Sequence, residues 1–160
     1  MTDNMVFFEK NDSRFLMCAR GIAINAGKVL LFNVVGWDWW ALPGGRVEMN
    51  EPSDIALKRE MREEIASDVT VGRLVWVIEN FFQPDETAYH EIGIYYLMDL
   101  PADSSVFKSA EHACQDGPVT VRFRWFPLAD IGQLQIRPAF LKERLTHIPA
   151  LTEHIIWTDK

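Results

Sequence analysis

Residues 45–64 read G-R-V-E-M-N-E-P-S-D-I-A-L-K-R-E-M-R-E-E, and this stretch decides what fold and what chemistry to expect. Pro52 suits a first helical turn, Ser53 and Asp54 favour the positive end of a helix dipole, and no further Pro or Gly intervenes before Gly72. A helix over roughly 52–66 is predicted. Leu57, Met61 and Ile65 lie four apart and form its core stripe, whereas Ile55 falls outside it. At 3.6 residues per turn, Glu60, Glu63 and Glu64 fall within an arc of roughly 100°. Carboxylates so crowded repel one another and raise each other's pKa values, so the helix loses stability unless something positive offsets them.

For the glutamates alone, a solvated face partnered by Lys58, Arg59 and Arg62 is the plain reading. The surrounding spacing favours another. Pro43-Gly44-Gly45 permits a sharp backbone path that exposes main chain, and Glu51 brings a further carboxylate close enough to fold back on the glutamate face. A hard divalent cation, Mg²⁺ or Mn²⁺, takes oxygen ligands and shares its shell between carboxylates, waters and substrate phosphate. Arg59 is placed to tie Glu51 or a neighbouring carboxylate by a bidentate contact.

Outward from this segment, residues 14–25 and 28–35 are apolar and β-tolerant around the Ala26-Gly27 turn, which predicts a hairpin. Trp39 to Leu42 reads as a short strand ending at the Pro-Gly-Gly turn. Residues 73–82 and 88–99 read as a long hairpin across Gln83-Pro84-Asp85-Glu86. Residues 101–118 read as a polar loop of uncommon length, 119–126 as a strand carrying Arg122 and Arg124, and 138–146 as a helix.

With 160 residues, 48% of them hydrophobic and 24% charged, the chain suits one domain over 1–160 with its own core. A net charge of -7 and the lack of Lys/Arg clusters argue against binding along a nucleic-acid duplex, so a phosphorylated substrate needs a cation as intermediary. Cys18 and Cys114 form neither a disulfide framework nor a C-x-x-C site. They read as small buried hydrophobes in a reducing compartment, and with an N-terminal apolar run too short for a leader or a membrane span the expected place is the cytoplasm. No Walker A, G-x-G-x-x-G or G-x-S-x-G occurs, and the His90/Glu91 and His112/Cys114 pairs lack zinc spacing, so they read as structural or solvent-exposed.

Gly45, Glu51, Arg59, Glu60, Met61, Glu63 and Glu64 together resemble the box of the Nudix hydrolases and their MutT-like domain, G-x5-E-x7-R-E-U-x-E-E-x-G-U with U apolar. Ala66 stands in place of the second glycine and Ser67 in place of the last apolar residue. The W-x-L-P-G-G entry at Trp40 to Gly45 extends the likeness. The resemblance implies an α/β fold, an α/β/α sandwich with a mixed β-sheet, and hydrolysis of a nucleoside diphosphate linked to another moiety. That class takes in a nucleotide-sugar such as ADP-ribose, a dinucleotide and a nucleoside triphosphate. It implies metal ligation by Glu60, Glu63 and Glu64, with the Gly44 carbonyl as a further ligand, while Gly45 and Glu51 support them. Proton removal falls to Glu63 or Glu60, with Arg59 beside them, or to Glu111 or Asp116 from the long loop.

For the rest of the substrate, Trp37, Trp39 and Phe82 are candidates to stack on a base and Arg20 to meet a phosphate. Core packing and a surface ion pair are the plainer readings of each. Two rival functions share such a fold: a catalytically inactive nucleotide-sensing module and an isoprenoid diphosphate isomerase. A sheet edge or the C-terminal Ile155-Ile156-Trp157 offers a route to a homodimer, although an apolar tail more commonly packs on its own domain.

Overall fold

The computed structural model describes residues 4–159. The strands are β1 (Phe7–Lys10), β2 (Ser13–Ile22), β3 (Ile24–Asn25), β4 (Lys28–Val34), β5 (Gly44–Arg46), β6 (Thr70–Phe82), β7 (Ala88–Asp99), β8 (His112–Asp116), β9 (Val119–Pro127) and β10 (Glu153–Thr158). Two α-helices, α1 (Ser53–Ile65) and α2 (Leu141–Arg144), and two short 3-10 helices complete the elements of the described residues. A six-stranded mixed sheet runs β1-β2-β7-β6-β10, with β5 also pairing β2, and a four-stranded sheet runs β3-β4-β9-β8. The β2/β7 and β6/β10 pairs are parallel and the others antiparallel.

The apolar run of β4 is continuous because both its faces are covered. Leu30, Phe32 and Val34 pack in one core with Ala56, Leu57, Met61 and Ile65 of α1, while Val29 and Leu31 pack in a second core with Trp76, Ile78, Tyr95, Ile131, Phe140 and Leu141. The strands therefore lie between α1 on one side and α2 with the 3-10 helix Leu128–Gln133 on the other, an α/β/α sandwich with a mixed sheet. No helix among the described residues is long and apolar enough to cross a membrane.

Helix α1 forms where the sequence places it, with Pro52 as its N-cap and Ile55 turned to solvent at 45% exposure. At its exit Ala66 takes the left-handed conformation (φ 49°), donating to Arg62 O while Ser67 N donates to Met61 O. This is the turn that normally calls for glycine. Ser67, buried where an apolar residue is usual, pairs its Oγ with that of Ser104 at 2.6 Å and donates to Ile65 O.

Four other elements depart from expectation. The turn at Ala26-Gly27 forms, but only Ile24 and Asn25 pair across it; the chain breaks at Ala23 and β2 joins the other sheet, parallel to β7. A period-2 pattern announces a strand without naming its partner. Residues 101–118 are not a bare loop: they hold the 3-10 helix Ser105–Phe107 and β8, an edge strand whose exposed face made it read as polar. The helix expected over 138–146 contracts to the four residues of α2, flanked by single turns. Trp39 to Leu42 makes only isolated bridges, Phe32 with Ala41 and Trp40 with Ile136. The C-terminal tail is a full strand: Ile155 and Trp157 pack on the second core and Ile156 faces out.

Candidate active site

Strand β5 lies against β2 with Gly44 opposite Arg20 and Gly45 opposite Ala19, which brings the Pro-Gly-Gly turn under α1. Gly44 is sterically required, and Gly45 leaves the space that the Glu60 carboxylate fills. Gly44 has φ 138°, and a Cβ there would fall 2.0 Å from Ala19 O; a Cβ on Gly45 would fall 2.2 Å from the Glu60 carboxyl carbon. The Glu60 carboxylate thus occupies the cradle left by the missing side chain.

The glutamates do not share one environment. Glu60 and Glu64, one turn apart, are each only 9% exposed, while the Glu63 side chain stands at the rim. Arg59 binds Glu51 with two bonds, Nε to Oε1 at 2.8 Å and Nη2 to Oε2 at 3.1 Å. It also donates through Nη2 to Arg46 O (3.0 Å) and through Nη1 to Glu60 (2.9 Å) and Glu63 (3.4 Å). Glu51 in turn accepts from Glu48 N at 2.9 Å, closing the chain before the helix onto its glutamate face. The Arg59 hydrogen bonds hold the Glu51 carboxyl below its ordinary range. Burial pushes Glu60 up against the pull of Arg59, and burial, then Glu60 and Asp116, push Glu64 up to about 8.

Glu64 Oε2 is buried without a hydrogen-bond partner among the described residues. An orphaned carboxylate oxygen beside a second buried carboxylate and a glycine-lined turn is a hard-oxygen donor set that fits a divalent cation. The side chains are not drawn together as a cage: among the described residues no cluster of three or more His, Cys, Asp and Glu is arranged to hold an ion. The Gly44 carbonyl accepts from Arg20 Nη1 at 3.4 Å. Of the loop candidates, Asp116 on β8 lies near enough to raise Glu64, whereas Glu111 faces Arg124 at 4.0 Å.

Arg20, Trp37, Trp39 and Phe82 all line one cavity of about 310 Å³ beside this acidic face. Trp37 and Trp39 stack on each other at 4.1 Å and 18°, and the Arg137 guanidinium lies 5.5 Å from the Trp39 ring. Asn33, 1% exposed, sets this loop by donating to both Trp37 O (3.1 Å) and Trp39 O (2.6 Å) while accepting from Arg122 Nε (2.9 Å). Arg20 lies 3.9 Å from Glu91, which is 6% exposed and lines the same cavity together with Asn80, Tyr95, Arg137 and Asp159.

Sequence reading did not single out Asn33, Asn80 or Arg137, and it took Glu91 for a structural or solvent-exposed residue. A signal existed for Asn80. On β6 the alternate positions Trp76, Ile78 and Phe82 are apolar, and Asn80 interrupts them on the same face, with Glu91 opposite in register. His90 stacks on Phe81 and meets Phe15 edge-on, away from that face, and Cys18 is buried as expected while Cys114 is half-buried.

The NUDIX domain model matches residues 6–147. No curated protein matches the chain in sequence. Among solved structures, a MutT NUDIX hydrolase from Burkholderia pseudomallei is similar at TM-score 0.62 and 21% identity, covering 84% of this chain and 98% of that one. An ADP-ribose pyrophosphatase from Streptococcus suis is similar at TM-score 0.61 and 18% identity, covering 89% and 98%. A UDP-X diphosphatase is similar at TM-score 0.59 and 19% identity, covering 88% and 66%. These likenesses establish the fold, and the domain match extends over most of the chain and takes in the glycine turn and α1. The chain belongs to the Nudix hydrolase family.

Proposed function

We propose that this Nudix hydrolase cleaves the diphosphate linkage of a nucleoside diphosphate joined to another moiety, with Mg²⁺ or Mn²⁺ held by Glu60, Glu63, Glu64 and the Gly44 carbonyl. The observation that carries the reading is the pair of buried, neighbouring carboxylates on α1, one with an unpartnered oxygen, set against a turn that only glycine can make. A divalent cation bound there neutralises charge on the diphosphate and lowers the pKa of an attacking water.

The chain's own residues do the remainder. Arg59 fixes Glu51 and Glu60 so that the acidic face keeps its shape, which is a positioning role. Glu63, least buried of the three, is the group best placed to exchange a proton with solvent, and Glu60 is its alternative. The tryptophans of the adjacent cavity offer a face on which a base stacks, and Arg20 lies between that cavity and the acidic face. A small nucleotide is the partner, and the cytoplasm the setting that fits its two unpaired cysteines.

A substrate panel with Mg²⁺ and with Mn²⁺ tests this: ADP-ribose, NADH, diadenosine polyphosphates, nucleotide-sugars and the ordinary and oxidised deoxynucleotides. The expected outcome is release of a nucleoside monophosphate from one class, reduced about 10²–10⁴-fold in Glu63→Gln. Nucleotide binding without cleavage would identify a sensing module, and isomerisation of an isoprenoid diphosphate without phosphate release would identify the other rival. Either would overturn the proposal.

A further inference from the structure

Residues that alternate along a strand point to opposite faces of its sheet. In the six-stranded sheet one set, with Ile78, Asn80, Glu91, Tyr95 and Trp157, points into the second core and the cavity beside it. The other set faces α1, whose core takes in Ala19 and Met98 with Met17 and Tyr96 at its margin. Beyond the helix that face continues across β1, β2, β7, β6 and β10, and no further layer of the described residues lies on it.

A sheet face open to water ordinarily carries polar residues. Here the pattern is reversed. On β7, Glu91 and Gly93 point inward while Ile92 and Ile94 point outward, and on β6 the outward positions beside Glu79 are Val77 and Phe81. The register sets Phe8, Phe15, His90 and Phe81 in one row and Met17, Ile92, Glu79 and Ile156 in the next. Phe8 stacks on Phe15 at 4.8 Å and Phe81 on His90 at 4.5 Å, so the first row is a continuous aromatic band. Its outermost residue, Phe8, is 62% exposed, Ile156 at the far edge is 68% exposed, and the residues between them are half-buried.

Area and charge name the occupant. Taking about 150–250 Å² for a bare aromatic side chain, the face and its polar rim at Lys10, Ser13, His154 and Thr158 offer roughly 800 Å² per copy, which is what a standard interface takes from each partner. Contiguous apolar surface across five strands is uncommon on a protein that works as a monomer. Glu79 and His154 pair at 2.7 Å, so the centre of the face carries at most one net charge on a chain of net charge -7. A basic partner, which such a chain attracts, has nothing to hold there. The surface that fits is flat, apolar and neutral, and a second copy supplies it.

We infer that the chain forms a two-fold dimer by packing this face against the same face of a second copy, sheet on sheet. Two such faces meet about 10 Å apart with their side chains interdigitated. The nucleotide cavity lies on the opposite side of the sheet and stays open, so the inference does not depend on the reaction. It also differs from pairing through the free edges of β1 or β10, which leaves the face bare.

Sedimentation velocity of the full chain between about 1 and 100 μM tests this, a range in which an interface of standard size assembles even at modest affinity. The expected result is a concentration-dependent dimer, closed at two copies. Phe8 and Ile156 lie on strands at opposite edges of the sheet and are largely bare in the protomer, so Phe8→Lys and Ile156→Lys are expected to fold. Each is expected to weaken the dimer at least about tenfold, because it places an unpaired charge in the apolar contact. Phe8→Ser and Ile156→Ser, milder changes at the same positions, are expected to weaken it several-fold and are read in the same way. A wild-type chain that stays monomeric, which would leave the face to a different protein, overturns the inference. So does a dimer that the variants at both positions retain, or one lost only at a single position, which would assign the contact to that strand's edge.

Discussion

Ala66 shows how a single residue carries a measurable cost in this fold. It holds the left-handed conformation at the exit of α1, where a side chain's Cβ crowds the backbone and glycine does not. Ala66→Gly is expected to stabilise the protein by about 1 kcal/mol, a rise in Tm of roughly 2–4 °C, leaving turnover unchanged. A fall in Tm would show that the helix exit is not strained. Glu64 makes a second prediction at this scale. Burial first, then Glu60 and Asp116, raise its pKa from 4.5 to about 8, so the folded chain holds the proton more tightly than the unfolded chain does. Its contribution is fully present below the unfolded value and is lost as pH rises towards the folded one. With chelator present, Tm is expected to fall between about pH 5 and pH 8, and Glu64→Gln to flatten that fall. A Tm that rises steadily over the same range in both proteins would contradict the raised pKa.

At the scale of elements, the tryptophan loop depends on one buried side chain. Asn33 on β4 binds the carbonyls of Trp37 and Trp39 and is itself held by Arg122 of β9, so the loop is pinned to the four-stranded sheet. Asn33→Leu leaves those carbonyls and the guanidinium without it, at a cost of about 1–3 kcal/mol. Steady-state kinetics should show KM raised several-fold with kcat little changed, and an unchanged KM would separate the loop from substrate binding. The same region shows what sequence conveys and what it withholds. Helix α1 was legible because its caps, core stripe and glutamates are local, and β6 and β7 because a compact turn joins them. Strand β2 was legible as a strand but not as a parallel partner of β7, a pairing made across more than sixty residues of chain by burial rather than by turn chemistry. Strand β8 was hidden by the polar face of an edge, and β10 by its distance from β6. Within the site, the glutamates and Arg59 announce themselves by spacing. Asn80 and Arg137 acquire meaning only when the fold brings separate segments around one cavity.

Over the whole molecule, two sheets and two cores fix an acidic helix face on one flank of a glycine turn and an aromatic cavity beside it. The chain carries a net charge of -7, and two of the glutamates on α1, Glu60 and Glu64, are buried one turn apart. Such a surface repels a polyphosphate until a cation intervenes, so the account stands or falls on ion binding at α1. Mn²⁺ titration followed by electron paramagnetic resonance tests this most directly, comparing the wild-type protein with Glu60→Gln and Glu64→Gln after confirming that each variant unfolds cooperatively. The account predicts saturable binding to the wild type and an affinity at least about tenfold weaker in each folded variant, since each loses a hard anionic ligand. Equal Mn²⁺ affinity in all three proteins would contradict it.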